Sequence, residues 1–257
     1  MRVGVVLFPG MNCEHETVRA LASVGLEAEI VRANEGAGRL AAFDGYVLPG
    51  GFSYEDRIRA GVVAARHPAM ATLARAAEAG RPIAGICNGA QILLEAGLVP
   101  GVRAGRVEMA LALNDSGTRT GYYCDWRWVV GDLFEEPAPL PFAHAEGRFV
   151  SADASVREAV RRQGLVAARY CDAAGRVGAG WPVNPNGAWE SAAALRSVAG
   201  NVVAIMPHPE RANWAWQVPP DVGGAWAEAK RRGGRDAPGP GRVFFERFAG
   251  QLRRAAA

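Results

Sequence analysis

Residues 83–91 read Ile83-Ala84-Gly85-Ile86-Cys87-Asn88-Gly89-Ala90-Gln91. A short apolar strand enters the cysteine and a helix leaves within a few residues, to be stopped at Gly97. Strand, sharp turn and helix with a nucleophilic side chain at the turn make a nucleophile elbow, here with cysteine in the serine position. Gly85 and Gly89 leave room for the turn and for the helix to lie against its strand. The start of the helix brings partial positive charge to the sulfur, and the N–H of Asn88 points beside it.

Working outward, the first hundred residues alternate strand and helix patterns. Strands are predicted at Arg2–Phe8, Glu27–Arg32, Gly45–Leu48 and Pro82–Ile86. Helices are predicted at Glu14–Val24, Ile58–Arg66, Ala69–Ala79 and Gly89–Ala96. That rhythm implies an α/β fold, a three-layer sandwich with a largely parallel central sheet. After Pro100 the rhythm changes. Arg106–Leu113 and Thr120–Val130 carry aromatic and β-branched residues that suggest antiparallel strands. A helix returns at Ala154–Gln163 and strands at Leu165–Tyr170 and Asn201–Met206, and an amphipathic helix at Val243–Arg253 closes the chain. Residues 219–242, rich in Pro, Gly and charge, read as a surface excursion from one domain spanning 1–257.

The 257 residues are 49% hydrophobic and 21% charged with a formal net charge of +3, which excludes wholesale disorder. No apolar run approaches the roughly 20 residues of a membrane span. The opening MRVGVVLFPGMNC is broken by Pro9 and Gly10 and followed by Glu14, so it reads as a buried strand and a cytoplasmic location is expected. Cys13, Cys87, Cys124 and Cys171 form no CxxC pair, so neither a disulfide framework nor a metal site is expected. Lys230 is the single lysine, in the polar stretch AEAKRRGGRD, which argues against Schiff-base chemistry. There is no Gly-Lys-Ser/Thr triplet and no GxGxxG after the first strand, so no phosphate-binding loop is expected. The near-neutral charge argues against nucleic acid.

A cysteine nucleophile needs a base, and there are four histidines. His15 reads as a surface residue, His67 as a cap at a helix C-terminus, and His144 remains a candidate. His208 is best placed, in Met206-Pro207-His208-Pro209-Glu210 at the end of an apolar strand, where α/β proteins place their ligands. The flanking prolines hold the segment extended, so His208 and Glu210 project to one side and the carboxylate can orient the ring. Cys87, His208 and Glu210 are thus a candidate triad. Leu48-Pro49-Gly50-Gly51-Phe52 ends a strand in two glycines whose N–H groups, with that of Asn88, could receive an oxyanion.

Together these stretches resemble the class I, triad-type glutamine amidotransferases. The closest resemblance is to the PurQ family, the glutaminase subunits of phosphoribosylformylglycinamidine synthase. It runs from Val3 to Phe248 apart from the 219–242 excursion. Its motifs are Val5–Cys13, Leu48–Tyr54, Arg59-Ala60-Gly61, Gly85–Gly89 with Gln91, Ala143–Arg148, Asn184–Gly187 and Met206–Arg211. Two positions depart from the pattern: Glu55 stands where the family has glycine, and Ala90 where it has an aromatic residue.

The resemblance implies a flavodoxin-like fold and a mechanism. Cys87 attacks the carboxamide of L-glutamine, His208 relays protons, and Glu210 orients His208. Gly51 and Asn88 stabilise the oxyanion, and Gly50, Phe52 and Gln91 complete the substrate contacts. It implies no cofactor in this chain. ATP and Mg belong to a PurL-type synthetase subunit, with a small PurS-type subunit as a further partner. A cysteine hydrolase or peptidase on a similar scaffold would commonly place histidine after the nucleophile, where Asn88 stands. A non-catalytic regulatory subunit would be expected to lack part of the triad.

Overall fold

The computed structural model describes residues 1–222, 226, 228 and 232–256. The first half builds β1 (Arg2–Leu7), α1 (Glu14–Ala22), β2 (Glu27–Arg32), α2 (Ala37–Leu40), β3 (Gly45–Leu48), α3 (Ala69–Glu78), β4 (Ile83–Ile86) and α4 (Asn88–Glu95). The second half builds β5 (Ala110–Leu113), β6 (Tyr123–Gly131), β7 (Phe134–His144), β8 (Glu146–Val150), α5 (Ala154–Arg162), β9 (Val166–Cys171), β10 (Ala192–Arg196), β11 (Val202–Ile205) and α6 (Arg242–Ala255).

Nine of these strands form one sheet in the order β2-β1-β3-β4-β11-β10-β9-β6-β7, and β5 pairs with β8 apart from it. The five strands from β2 to β11 are mutually parallel, and β10, β9, β6 and β7 continue the sheet antiparallel. β3, β4 and β11 are buried along their whole length, as strands covered on both faces must be. Their coverings can be read from the pleat. Leu48 and Gly85 are register partners, and a side chain at 85 would meet Leu93 of α4. Gly45 lies on the other face of β3, where a side chain would meet Leu252 of α6. Helices therefore cover opposite faces of the parallel half, giving three layers.

Several expected elements differ. Ile58–Arg66 is not a helix: only Ala64–Arg66 makes a 3₁₀ turn, and Ile58 and Gly61 have φ of 72° and 79°. The reason is close packing, since the backbone at Gly61 lies against α4, where a Cβ would stand 2.7 Å from the Ile92 nitrogen. β7 was not among the expected strands and carries Pro137, Pro139 and Pro141, residues that a central strand excludes. It is an edge strand with β6 as its one neighbour in the sheet, and the spacing of two puts the prolines at positions whose nitrogens face away from that neighbour. β10 was concealed by the run Ala192-Ala193-Ala194, which has little strand propensity but lies buried between β9 and β11. Within the excursion, residues 223–225, 227 and 229–231, Lys230 among them, lie outside the described residues. Its last part folds back on the chain that precedes it: Ala215 donates to Ala237 O and Gly239 to Asn213 O.

Candidate active site

Cys87 sits between β4 and α4 with φ 51° and ψ −107°, a conformation that non-glycine residues rarely adopt. The turn is tight because a Cβ at Gly89 would lie 2.0 Å from the Leu48 carbonyl oxygen. Cys87 N–H donates to Ile205 O at 2.8 Å, across to β11. Its thiol faces the Ala143 carbonyl, with Sγ 3.7 Å from the oxygen.

β11 ends in Met206-Pro207-His208, and the N–H of His208 donates to Pro141 O at 2.8 Å. The proline-bearing edge strand thus secures the histidine. His208 is 2% exposed, and its Nδ1 lies 2.5 Å from Oε1 of the fully buried Glu210. Burial alone would lower the imidazole's pKa. The negative charge of Glu210 and the nearby Cys87 outweigh it and hold the pKa well above the ordinary value. The other ring nitrogen, Nε2, is buried with no hydrogen-bond partner among the described residues. The structure thus brings His208 against Glu210 and within electrostatic reach of Cys87.

The loop after β3 is laid against the turn after β1. Asn12 and Cys13 donate to Gly50 O, Phe52 donates to Gly10 O, and Tyr54 donates to Pro9 O. Phe52 N–H is thereby engaged, and the residue, half-exposed, lines the cavity. Gly50 serves the histidine: a Cβ there would stand 2.7 Å from His208 Cε1. Gly51 pairs with Met11 across a bridge whose hydrogen bonds are made by the flanking residues, which turns its own N–H away from Met11. Asn88 ties the loop to the elbow. Its Oδ1 accepts from Ser53 N at 3.0 Å, and its Nδ2 donates to Asp56 Oδ1 at 3.1 Å and Gln91 Oε1 at 2.7 Å. Gln91 Nε2 in turn donates to Glu146 O at 2.6 Å. Gly51, Phe52, Asp56, Cys87, Gln91 and Glu146 line a cavity of about 170 Å³. Larger depressions, such as one of about 400 Å³ beside Trp126 and Pro182, lie away from these groups.

Of the other histidines, His15 is exposed as expected. His67 caps a helix, but at its start: Nδ1 accepts from Ala69 N at 3.1 Å. His144 is buried in the cavity wall, its pKa pushed down to about 3 by burial and by the charge of His208. Asn114 and Asn186 hold the adjoining turn, accepting from Gly147 N at 3.0 Å and donating to Gly147 O at 2.8 Å.

Sequence reading assigned no role to Cys13. It is buried with its Sγ, a His208 ring nitrogen and a Glu210 oxygen all within 4.8 Å of one another. Arg211 Nη2 donates to that sulfur at 3.0 Å. The signal available was its place in the Val5–Cys13 motif. No helix among the described residues is long and apolar enough to cross a membrane.

The family model for CobB/CobQ-like glutamine amidotransferase domains matches residues 1–233. The chain is 44% identical over 234 residues to phosphoribosylformylglycinamidine synthase subunit PurQ of Methanothrix thermoacetophila, covering 85% of this chain and 89% of that protein. It is 40% identical to the subunit of the same name from Thermus thermophilus, covering 82% and 90%. Among solved structures, PurLQS from Thermotoga maritima superposes with a TM-score of 0.68 at 31% identity, covering 100% of this chain and 99% of that one. A GMP synthase subunit from Thermoplasma acidophilum, 16% identical with a TM-score of 0.54 over 99% and 94% of the two chains, shares the fold.

Proposed function

The chain belongs to the CobB/CobQ-like glutamine amidotransferase family, and from that premise we propose that it is the glutaminase subunit of phosphoribosylformylglycinamidine synthase. It hydrolyses L-glutamine to glutamate and ammonia and passes the ammonia to a PurL-type synthetase, which makes formylglycinamidine ribonucleotide in purine biosynthesis. The names of the relatives and the PurLQS likeness support this assignment. A small PurS-type subunit completes the complex in this reading, and ATP and Mg²⁺ act on the synthetase. The reading places the work in the cytoplasm, supported by four cysteines that are all free thiols.

One observation carries the chemistry: the thiol at the strained elbow and the Glu210-bound imidazole stand at the ends of two adjacent strands, β4 and β11. His208 accepts the Cys87 proton as sulfur attacks the carboxamide carbon, while Glu210 stabilises the imidazolium that forms. The tetrahedral oxyanion takes hydrogen bonds from Gly51 and Asn88 N–H. His208 then gives its proton to the leaving nitrogen. Ammonia departs and a thioester remains, which water hydrolyses with the same imidazole as base. The test is the complex of Cys87→Ala with the synthetase. Loss of glutamine-dependent product with retention of ammonium-dependent product supports the reading, and undiminished use of glutamine refutes it.

A further inference from the structure

Amide cleavage uses Nε2 of His208 and Oε1 of Glu210, and it has no use for two other groups of the same cluster. Oε2 of Glu210 is buried with no hydrogen-bond partner among the described residues, an orphan that a native interior rarely keeps. The sulfur of Cys13 lies within 4.8 Å of a His208 ring nitrogen and of a Glu210 oxygen, and those two atoms lie within the same distance of each other. All three side chains are buried, and none of them lines the cavity beside Cys87. The ring and the thiol pack on one stretch of backbone: a Cβ at Gly50 would stand 2.7 Å from His208 Cε1 and 3.2 Å from Cys13 Sγ.

A thiol, an imidazole and a carboxylate are the donor set of a borderline-soft divalent ion, zinc above all. Bonds of about 2.3 Å to sulfur and about 2.0 Å to nitrogen and oxygen put tetrahedral ligands about 3.5 Å apart. Side-chain adjustments of about 1 Å therefore close this cluster on an ion. The charges balance as well, since a thiolate and a carboxylate cancel the two charges of the metal. Arg211 donates to the sulfur at 3.0 Å and α1 begins directly after Cys13, and both favour negative charge there. Positions 13, 208 and 210 carry no sequence signature of such a site, which is why none was expected.

We infer that Cys13, His208 and Glu210 form a zinc site whose occupation switches the glutaminase off. The inhibition rests on the glutaminase reading above; the site itself does not. The sulfur binds as thiolate, its proton passing to solvent, and water takes the fourth position. Inhibition follows whichever ring nitrogen binds. On Nε2 the ion occupies the atom that takes the Cys87 proton. On Nδ1 it confines the one proton of the neutral ring to Nε2, which then accepts no other. Mg²⁺ prefers an all-oxygen shell and does not compete.

The test incubates the complex with the synthetase in buffers that fix free Zn²⁺ from nanomolar to micromolar, then assays it with glutamine and, separately, with ammonium. Synthesis from glutamine should be lost and synthesis from ammonium kept, and saturating glutamine should give no relief, because the three ligands lie outside the cavity. Cys13→Ser, scored against its own zinc-free rate, should need about 10- to 100-fold more free zinc for half inhibition, a loss that even an outer partner of a metal ligand produces. Cobalt supplies a readout without activity. Cys87→Ala with Co²⁺ should show a thiolate-to-cobalt charge-transfer band, and Cys87→Ala/Cys13→Ser should not. Equal zinc sensitivity of Cys13→Ser and wild type, no band in Cys87→Ala, or a band that persists in the double variant overturns the inference and leaves the glutaminase reading standing. A wild type indifferent to micromolar zinc overturns it as well. A wild-type complex that consumes no glutamine overturns the reading instead, and the cobalt band still decides the site.

Discussion

Cys87 and Ile205 are joined by a main-chain hydrogen bond of 2.8 Å, so the elbow is tied to the strand whose next residues deliver His208. The thiol and the imidazole are positioned by the ends of two adjacent strands of the sheet. The imidazole is then fixed from two more sides, by Glu210 at Nδ1 and by Pro141 at its own N–H. Such rigidity leaves the chemistry sensitive to single groups, which gives the following expectations.

Glu210→Gln leaves a hydrogen-bonding side chain beside Nδ1 but removes the charge that stabilises the imidazolium. Glutamine-dependent kcat should fall by about 10²- to 10⁴-fold, while synthesis from added ammonium continues. Steady-state assays of the complex with each nitrogen source check this. Equal activity from glutamine would show that Glu210 has no part in the reaction.

Cys13→Ala removes the acceptor of Arg211, whose guanidinium is then free to compete for Glu210. A fall of about tenfold in kcat at little-changed KM is expected, with Cys13→Ser restoring most of it. Unchanged kinetics in the alanine variant would make the sulfur a packing group.

The Asp56 carboxyl, raised from 3.8 to about 6, favours folding when protonated. Its contribution is complete below pH 4 and lost as pH rises through about 6. The charges around it are Glu146 across the cavity, with Arg59 beyond that carboxylate. Asp56→Asn keeps the bond to Asn88 and removes the charge, so it should unfold at higher denaturant than wild type at pH 8 and equally with it below pH 4. After allowance for solvent screening of a partly exposed group the gain is about 1 kcal/mol. Urea titrations at the two pH values decide it.

Gly89→Ala forces a methyl group against the Leu48 carbonyl oxygen. A loss of about 2–4 kcal/mol is expected, with thiol reactivity altered because the elbow must shift. A wild-type melting temperature would mean that the helix moves away without cost.

The parallel half of the fold was legible because its central strands are apolar on both faces, β2 alternates, and its helices are followed by glycines: β2 and β3 have the bounds their patterns predict. The places of Cys87 and His208 were legible for a related reason, since both follow core strands and strand ends are where an α/β sheet exposes side chains. What escaped was set by tertiary packing. Ile58–Arg66 has the period of a helix, but Gly61 is pressed onto α4 and the chain turns instead. Strand β10 is alanine-rich, and β7 carries three prolines that only an edge tolerates. The surroundings of Cys13 and Asp56 were not legible because packing across 32 to 198 positions creates them: Asn88 to Asp56 and Cys13 N to Gly50 O are two such contacts, and Arg211 to Cys13 is the longest of them.

The neighbouring positions of β4 and β11 in the sheet have a consequence for biosynthesis of the chain. About 120 residues separate Cys87 from His208, so a ribosome extrudes the thiol strand well before the strand that brings its base. An unfinished polypeptide can carry the sulfur without a proton acceptor beside it. Competence to cleave an amide therefore arrives only once the segment carrying His208 has been made, and fragments ending before it would leave the cell's glutamine untouched.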